Sequence, residues 1–274
     1  MAVQPQLEAA ITAMNDLRTE YSTLLKNYKQ RIDDEIGAAI SGSKVYVDNV
    51  SGDDTNDGSQ AAPFATFAKA LASCTGNTLN IIYLAVNQIH TTARGAFPET
   101  KAFTGNTTIL VRRYGVSFDD TTNFPTLRVV TEVKDGKDQA SQMVRYTGSM
   151  TVLLDDLNLD LPAPATPLGL DINRNSWLQP AAFGAGQPFN LIVGNCRITT
   201  ATGGLYLFNA NLGTAITLNL NAVDLDGPQQ LIRDGSNCGF VVGATNITTT
   251  GTKIATGTIG ENVTAPAALA GYFA

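Results

Sequence analysis

The chain is poor in charged side chains, which make up 15% of its 274 residues against about 25% in typical soluble domains. A net charge of −6 argues against a nucleic-acid-binding protein. No apolar run approaches the roughly 18 residues of a membrane-spanning segment. The N-terminus lacks a basic region followed by an apolar core, so we expect no secretory signal and synthesis in a cytoplasm.

Cysteine and histidine are also scarce. Cys74, Cys196 and Cys238 are an odd number of cysteines without metal-ligand spacing. Cys196 falls at a predicted core position, so we expect a small buried apolar residue rather than a reactive thiol. The single histidine, His90, has no partners for a metal site or a catalytic triad, and we expect it to be solvent-facing or to cap an element. The composition predicts no cofactor.

One acidic segment partly matches a calcium-binding loop. It contains Asp53, Asp54 and Asp57 followed by Gly58. Phe64 stands where the bidentate glutamate of such a loop belongs. We therefore interpret this Asp-, Asn- and Gly-rich run as an ordinary turn.

A recurring spacing of apolar residues dominates the chain from residue 79 onward. Each copy has two apolar residues separated by one residue, then a gap of two residues, then two more apolar residues separated by one. This spacing suits a strand, a corner and a second strand that share one buried face. Repetition of that unit predicts a parallel β-solenoid. The six copies are Leu79, Ile81, Leu84 and Val86; Ile109, Val111, Tyr114 and Val116; Val152, Leu154, Leu157 and Leu159; Leu191, Val193, Cys196 and Ile198; Leu218, Leu220, Val223 and Leu225; and, more weakly, Phe240, Val242, Thr245 and Ile247.

The first 40 residues carry a different pattern, an apolar stripe at helical spacing. The spacing is close to the 11-residue repeat that gives a straight or slightly right-handed bundle. Such a helix either folds back on the β-domain or assembles with copies of itself; the narrow stripe and charged remaining faces favour self-assembly. The predicted contact residues are Leu7, Ile11, Met14, Leu17, Tyr21, Leu24, Tyr28, Ile32 and Ile36.

Three segments follow from these patterns. Residues 1–40 form the predicted helical segment. Residues 41–78 hold a linker, a strand near 44–48 and a short amphipathic helix near 63–71 that covers the open end of the solenoid. Residues 79–274 form the solenoid body, with unseen coils in 126–147 and 162–187; the second stretch, rich in proline, is better interpreted as a long loop insertion. The segment 264–274 plugs the far end or packs against a neighbouring subunit.

The segment from Val45 to Leu71 resembles the opening segment of right-handed parallel β-helix proteins. It reads VYVD, then SGDDTNDG, then PFATFAKAL. The family includes pectate-lyase-like enzymes and many bacteriophage tailspikes and tail fibres. The resemblance implies a mainly β fold, a right-handed parallel β-helix preceded by a long helix. It also implies a homotrimer whose helix forms a trimeric bundle attached to the virus particle.

Acidic residues in the predicted coils are candidates for polysaccharide cleavage. Glycoside hydrolysis needs two carboxyl groups at a fixed separation. Carboxylates at a corner are commonly turn formers, which we favour here, and we expect no basic cluster beside them of the kind a lyase would need. The candidates are Asp155, Asp156, Asp160, Asp171, Asp224 and Asp226.

Three aromatic residues are candidates for contact with a glycan or a partner. Trp177 lies among polar neighbours in the predicted insertion, where it either anchors the loop, contacts a subunit or stacks on a sugar. Tyr206 and Phe208 flank Leu207 and form a candidate outward-facing pair.

Together with these patterns, the resemblance implies a structural, non-enzymatic fibre subunit located on a virion. Its partners are its own copies, a virion protein bound through residues 1–40 and a glycan of the host surface; nucleic acid and membrane insertion are not expected. The alternatives are a depolymerase tailspike, a hydrolase or lyase, and a capsid decoration or head fibre.

Overall fold

The structure is a computed structural model. It describes residues 14, 16, 20, 43–92, 100–117, 119–145, 147–165, 169, 174–180, 188–209, 215–233, 240–251, 253–255, 263–265 and 267–273. The chain divides into two units, Met1–Ser41 and Gly42–Ala274. In the first unit the described residues Met14, Asp16 and Glu20 are helical and exposed. The other residues of the predicted apolar stripe lie outside the described residues. None of the helices in the described part of the chain is long and apolar enough to cross a membrane.

The second unit is mainly β, and its strands pair in parallel. The first sheet has 11 strands, namely β1 (Lys44–Val47), β2 (Leu79–Ala85), β3 (Ile89–Thr91), β5 (Thr107–Tyr114), β6 (Thr126–Arg128), β10 (Met150–Asp155), β11 (Asn158–Leu161), β13 (Phe189–Thr200), β15 (Ile216–Asp226), β17 (Phe240–Thr249) and β18 (Val263–Thr264). Strand β13 pairs with β10 over its first half and with β11 over its second half. The bend between these halves is the predicted corner.

A second, five-stranded sheet contains β4 (Thr100–Phe103), β9 (Gln142–Arg145), β12 (Ser176–Pro180), β14 (Tyr206–Asn209) and β16 (Ile232–Arg233). The strands β7 (Thr131–Lys134) and β8 (Lys137–Ala140) form the one antiparallel pair among the described strands. One apolar cluster joins residues of the two larger sheets, and the rings of Phe189 and Phe208 meet edge to face across it at 4.6 Å. The core therefore lies between the 11-stranded and the five-stranded sheets.

The third, fourth and fifth copies of the spacing fold as predicted. Val152, Leu191 and Leu218 are aligned, as are Leu154, Val193 and Leu220. The second halves align in the same way, Leu159 with Ile198 and Leu225. All of these side chains are at most 2% exposed, so each column buries a continuous row of aliphatic groups.

The first copy and the second half of the second copy were assigned wrongly; Ile109 and Val111 of the second copy are buried and aligned with Val152 and Leu154 as predicted. In β2 the column of Ile109 and Val111 is continued by Asn80 and Ile82 rather than by Leu79 and Ile81. Both faces of β2 are covered, since Ile81 is 7% and Ile82 is 0% exposed, and this hides the two-residue period. Both β2 and β5 run straight past the predicted corner, so Val86, Tyr114 and Val116 are only half-buried.

The second strands of these copies lie further along the chain. They are β3 and β6, where His90 is aligned with Leu127 and Leu127 with Leu159. The sixth copy is shifted by two residues, because Ile247 is aligned with Val223 rather than with Leu225. Thr245 of that copy is exposed.

The predicted loop insertion at 162–187 contains strand β12, and this corrects the interpretation of its tryptophan. Trp177 is fully buried. Its ring centroid lies 6.4 Å from that of Phe67 in helix α1 (Phe67–Ser73). Trp177 therefore anchors its segment to the core, which is one of the alternatives that the sequence left open.

The ends of the apolar core are covered. Helix α1 begins after Thr66, whose side chain accepts a hydrogen bond from the Lys69 amide, and it buries Phe67 and Leu71. At the C-terminus a 3₁₀ helix, Ala267–Tyr272, buries Leu269 and places Tyr272 and Phe273 against the core. Described residues of the terminal segment therefore pack against the core of their own chain.

Candidate functional site

The corner between β10 and β11, and the corresponding corner within β13, β15 and β17, is built on left-handed backbone. Asp156, Asn195, Ala222 and Asn246 have φ values of 56°, 47°, 53° and 54°. Strand registers place these four residues side by side. Aspartate and asparagine tolerate this conformation because their short polar side chains bond locally, and the Nδ2 of Asn195 donates to the Oδ1 of Asp156 at 2.5 Å. The corner is thus a fixed row of short polar groups with one alanine in it.

A buried arginine connects this corner to the segment 117–125. The Arg113 side chain is 3% exposed, and its Nε lies 3.3 Å from the Oδ2 of Asp156. Its Nη1 donates to the carbonyl of Asn123 at 3.1 Å, and its guanidinium lies 4.8 Å from the ring centroid of Phe124. A buried charge needs such compensation, so Arg113 holds the segment against the corner.

Asp120 makes the same segment rigid from within. Its Oδ1 accepts from the amides of Thr122 and Asn123 at 2.7 and 2.9 Å, and its Oδ2 accepts from the Asn123 carboxamide at 2.6 Å. The Asn123 side chain and these amides lower the pKa of Asp120 below its ordinary value. The carboxylate is therefore ionised at neutral pH and acts as a turn former.

An open groove of about 290 Å³ lies between segment 117–125 and the corner. Its floor and rim combine one aromatic ring with hydroxyl, amide and charged groups. The lining residues are Thr121, Phe124, Asn158, Asn195, Cys196, Arg197, Ala222 and Asp224. A concave site with an apolar ring and a few polar groups is the usual form of a small-ligand site.

The rim of the groove carries ion pairs on neighbouring strands. Arg197 lies 3.6 Å from Asp224 and 2.5 Å from Asp226. The hydroxyl of Thr248 donates to Asp224 at 2.8 Å, and that of Thr250 donates to Asp226 at 2.6 Å. Hydrogen bonds from Thr250 and Arg197 lower the pKa of Asp226, whereas the general acid of a glycosidase needs a raised pKa.

The expectation that no basic cluster accompanies the acidic residues was wrong. Arg112 lies 3.4 Å from Asp155, and Arg128 lies 2.6 Å from Asp160. Each arginine is supplied by a strand adjacent in the sheet and distant in sequence. Of the six candidate carboxylates, five are in ion pairs with arginine, and Asp171 lies outside the described residues. The acidic residues are therefore parts of cross-strand pairs.

The remaining predicted sites have structural roles. Asp53 accepts from Thr55, Asp57 accepts from the Ser59 amide, and Asp54 accepts from the Thr66 amide and hydroxyl; this is the predicted turn. Within the residues that the structure describes, no group of three or more His, Cys, Asp or Glu side chains is arranged to hold a metal ion.

His90 is buried rather than solvent-facing. It is 2% exposed, and its Nε2 lies 3.0 Å from the Ala85 carbonyl. Burial lowers its pKa, so the imidazole is neutral at pH 7. Cys196 is buried as expected, and burial raises its pKa to about 12.

The candidate aromatic contacts do not form an exposed surface. Trp177 and Phe208 are fully buried, and Tyr206 is half-buried. A ring without exposed surface cannot stack on a ligand from solvent, so the sugar-stacking alternative fails for Trp177, and the predicted outward-facing position of Phe208 was wrong. Sequence reasoning missed Phe124, Asn158 and Arg197, because only the parallel registers bring them together.

The comparisons with known proteins give no homologue. No protein-family model matches the chain, and no curated protein or solved structure matches it either.

Proposed function

We propose that this chain is a structural subunit of a bacteriophage virion fibre, built as a right-handed parallel β-helix. The carrying observation is the parallel register of β13 with β15 and of β15 with β17 over both halves, continued by β10 on the first half of β13 and by β11 on its second half. Each coil in such a protein buries its aliphatic face only by stacking on its neighbours. The covered ends, at α1 and at Leu269, support the same interpretation, because exposed end strands invite uncontrolled association.

The proposal includes a homotrimer assembled through residues 1–40, which also bind another virion protein. An exposed stripe on the outer face of the first half-strands supports self-association. Leu110, Leu153 and Ile192 are aligned there; Leu110 and Leu153 are half-buried and Ile192 is 36% exposed. Val241, in the neighbouring outer column, is 52% exposed. The two outer columns through Thr151 and Leu153 carry aliphatic, Thr, Asn and Gly side chains without charge, whereas the Arg112–Asp155 pair lies at the corner end of the same half-strands. Depletion of charge is typical of the core of an interface.

The mass of the assembly tests this part of the proposal. Light scattering on the full chain should give three times the 28.9 kDa of one subunit. Ile192→Lys places a charge in the stripe and should raise the concentration at which the assembly dissociates. Thr199→Lys adds the same charge on the other half of the same strand, next to existing ion pairs, and should leave the dissociation unchanged. A monomer at all concentrations would refute the trimer.

Location on the particle tests the remaining part. Antibodies raised against the chain should label the tail of purified particles in electron micrographs. Labelling of the head would favour the decoration-fibre alternative, and absence from the particle would refute the virion role. The depolymerase alternative predicts new reducing ends, or unsaturated products in the case of a lyase, after incubation with host polysaccharide. The pairing of Asp155, Asp156 and Asp224 with arginine argues against that outcome.

A further inference from the structure

We propose that the groove between segment 117–125 and the corner is a binding site for a neutral saccharide. The inference deepens the adhesive role within the proposed function and rests on it for its biological setting. It assigns the contact to Phe124, Asn158, Asn195 and the Arg197–Asp224 pair, of which only Asp224 was a candidate in the sequence, as a carboxylate for polysaccharide cleavage.

The ring of Phe124 provides the apolar surface of the site. It is half-buried and lines the groove. The guanidinium of Arg113 lies 4.8 Å from its centroid and, because Arg113 also bonds Asp156 and Asn123, fixes the position of the ring. Aromatic rings offer large rigid contact area at low entropic cost, and a sugar ring presents C–H groups that pack on such a surface.

The polar groups around the ring match hydroxyl groups. Among the described residues, no protein group pairs with the carboxamide of Asn158, which lines the groove. Asn195 uses its Nδ2 to bond Asp156, which leaves its Oδ1 as an acceptor. The side chains of Arg197 and Asp224 are 56% and 43% exposed. The groove thus offers both donors and acceptors beside an apolar surface, as hydroxyl-rich ligands require.

The balance of charge selects a neutral ligand. The Arg113–Asp156 pair cancels, and Arg197 faces both Asp224 and Asp226. In the described part of the chain, Asp226 beside Arg197 and the ionised Asp120 of the wall segment have no arginine of their own, so the surroundings of the groove are net negative. A phosphate, sulfate, uronate or sialate group would meet repulsion, since the two described arginines beside the groove, Arg113 and Arg197, are already paired with carboxylates. An uncharged sugar meets no such cost.

Glycan-array binding followed by calorimetry on the full chain tests the site. The probes are oligosaccharides of glucose, galactose, mannose, rhamnose and N-acetylated hexosamines, with sialylated and uronate-containing counterparts as the charged arm. We expect at least one neutral probe to bind, and its charged counterpart to bind more weakly. Phe124→Leu keeps an apolar side chain against Arg113 but removes the flat ring, and should weaken binding about three- to tenfold.

Asn158→Ala gives a second measurement that does not disturb the fold, since no described protein group bonds its carboxamide. It should weaken binding about five- to tenfold. Asn190→Ala is the matched control: it removes a carboxamide from the start of the same strand as Asn195, about 16 Å away along the strand, and should leave binding unchanged. Thermal unfolding of each variant separates loss of contact from loss of structure.

The outcomes distinguish the two proposals. Failure of all neutral probes, tighter binding of the charged counterparts, or equal binding by Asn158→Ala and the original chain would overturn the saccharide site. The oligomer mass of the same samples is independent of these results. A trimer without sugar binding leaves the fibre proposal intact and refutes the site. A monomer that binds a neutral sugar supports the site and refutes the trimer.

Discussion

Replacing Ala222 should stabilise the protein, because this alanine occupies a backbone conformation that suits asparagine or glycine. Its φ is 53°, in the same row as Asp156, Asn195 and Asn246. An alanine in the left-handed region costs about 1–2 kcal/mol, of which asparagine recovers a large part. The Ala222 side chain is exposed, so no buried contact is lost on substitution.

Ala222→Asn should therefore raise the free energy of unfolding by about 1 kcal/mol, equivalent to about 2–4 °C in the unfolding midpoint for a domain of this size. Ala222→Gly should give less, because glycine also increases the entropy of the unfolded chain. Ala222→Val should lower the midpoint, since a β-branched residue at positive φ is strained. Urea and thermal unfolding monitored by circular dichroism measure all three.

Ala61→Asn is the matched control. Ala61 is exposed and is not among the residues with positive φ, so this change should move the midpoint by no more than a few tenths of a kcal/mol. If Ala222→Asn and Ala222→Gly were both neutral or destabilising relative to Ala61→Asn, the left-handed corner at residue 222 would be refuted. The alignment of the corner residues along the groove would then be refuted as well.

Three further predictions concern the core, the thiols and acid stability. Leu220 is 2% exposed, so Leu220→Ala should lower the free energy of unfolding by about 2–5 kcal/mol, measured by urea unfolding. A loss under about 1 kcal/mol would contradict the packed column. In a Cys238→Ser variant, Ellman's reagent at pH 8 should titrate no thiol before denaturation and two afterwards, because burial raises the pKa of Cys74 to about 11 and that of Cys196 to about 12; rapid labelling of the folded protein would contradict this. Burial opposes ionisation of Asp48, but hydrogen bonds from Gln88, Ser51 and Val50 outweigh it and lower its pKa to about 2. Its stabilisation is present above the unfolded pKa near 3.8 and is lost as the pH falls through about 2, so Asp48→Asn should flatten the dependence of stability on pH between 4 and 2, and an unchanged slope would contradict it.

The sequence predicted the strand halves well where both halves of a coil are adjacent in the chain. In the copy from Val152 to Leu159 a single left-handed residue, Asp156, joins the two strands, so the apolar pattern keeps its phase. In the copy beginning at Ile109, segment 115–125 separates β5 from β6, and the pattern cannot show where the second strand resumes. The spacing of apolar residues therefore predicts both strand halves of a copy only where the connection between them is short.

The candidate site was less predictable because its parts are distant in sequence. Arg113, Asp156 and Asn195 meet through pairing of three strands, and no motif links them. The aromatic residues that stood out in the sequence, Trp177 and Phe208, are large apolar groups that the core buries. Phe124 did not stand out, since it lies in a connection whose length obscured the repeat. Connections between regular elements run over the surface and commonly carry function.

The groove lies beside the long connection between β5 and β6. A one-residue corner between two strand halves presents only a short turn to solvent, whereas the connection after β5 is long enough to form a wall. Arg113 fixes that wall, because its charge is buried and must be paired with Asp156 and the Asn123 carbonyl. Arg113→Met would leave Asp156 without its cation and release the wall, so it should lower stability by about 3 kcal/mol and abolish sugar binding together. Phe124→Leu should affect binding with little change in stability, and equal destabilisation by both variants would show that the ring serves packing alone.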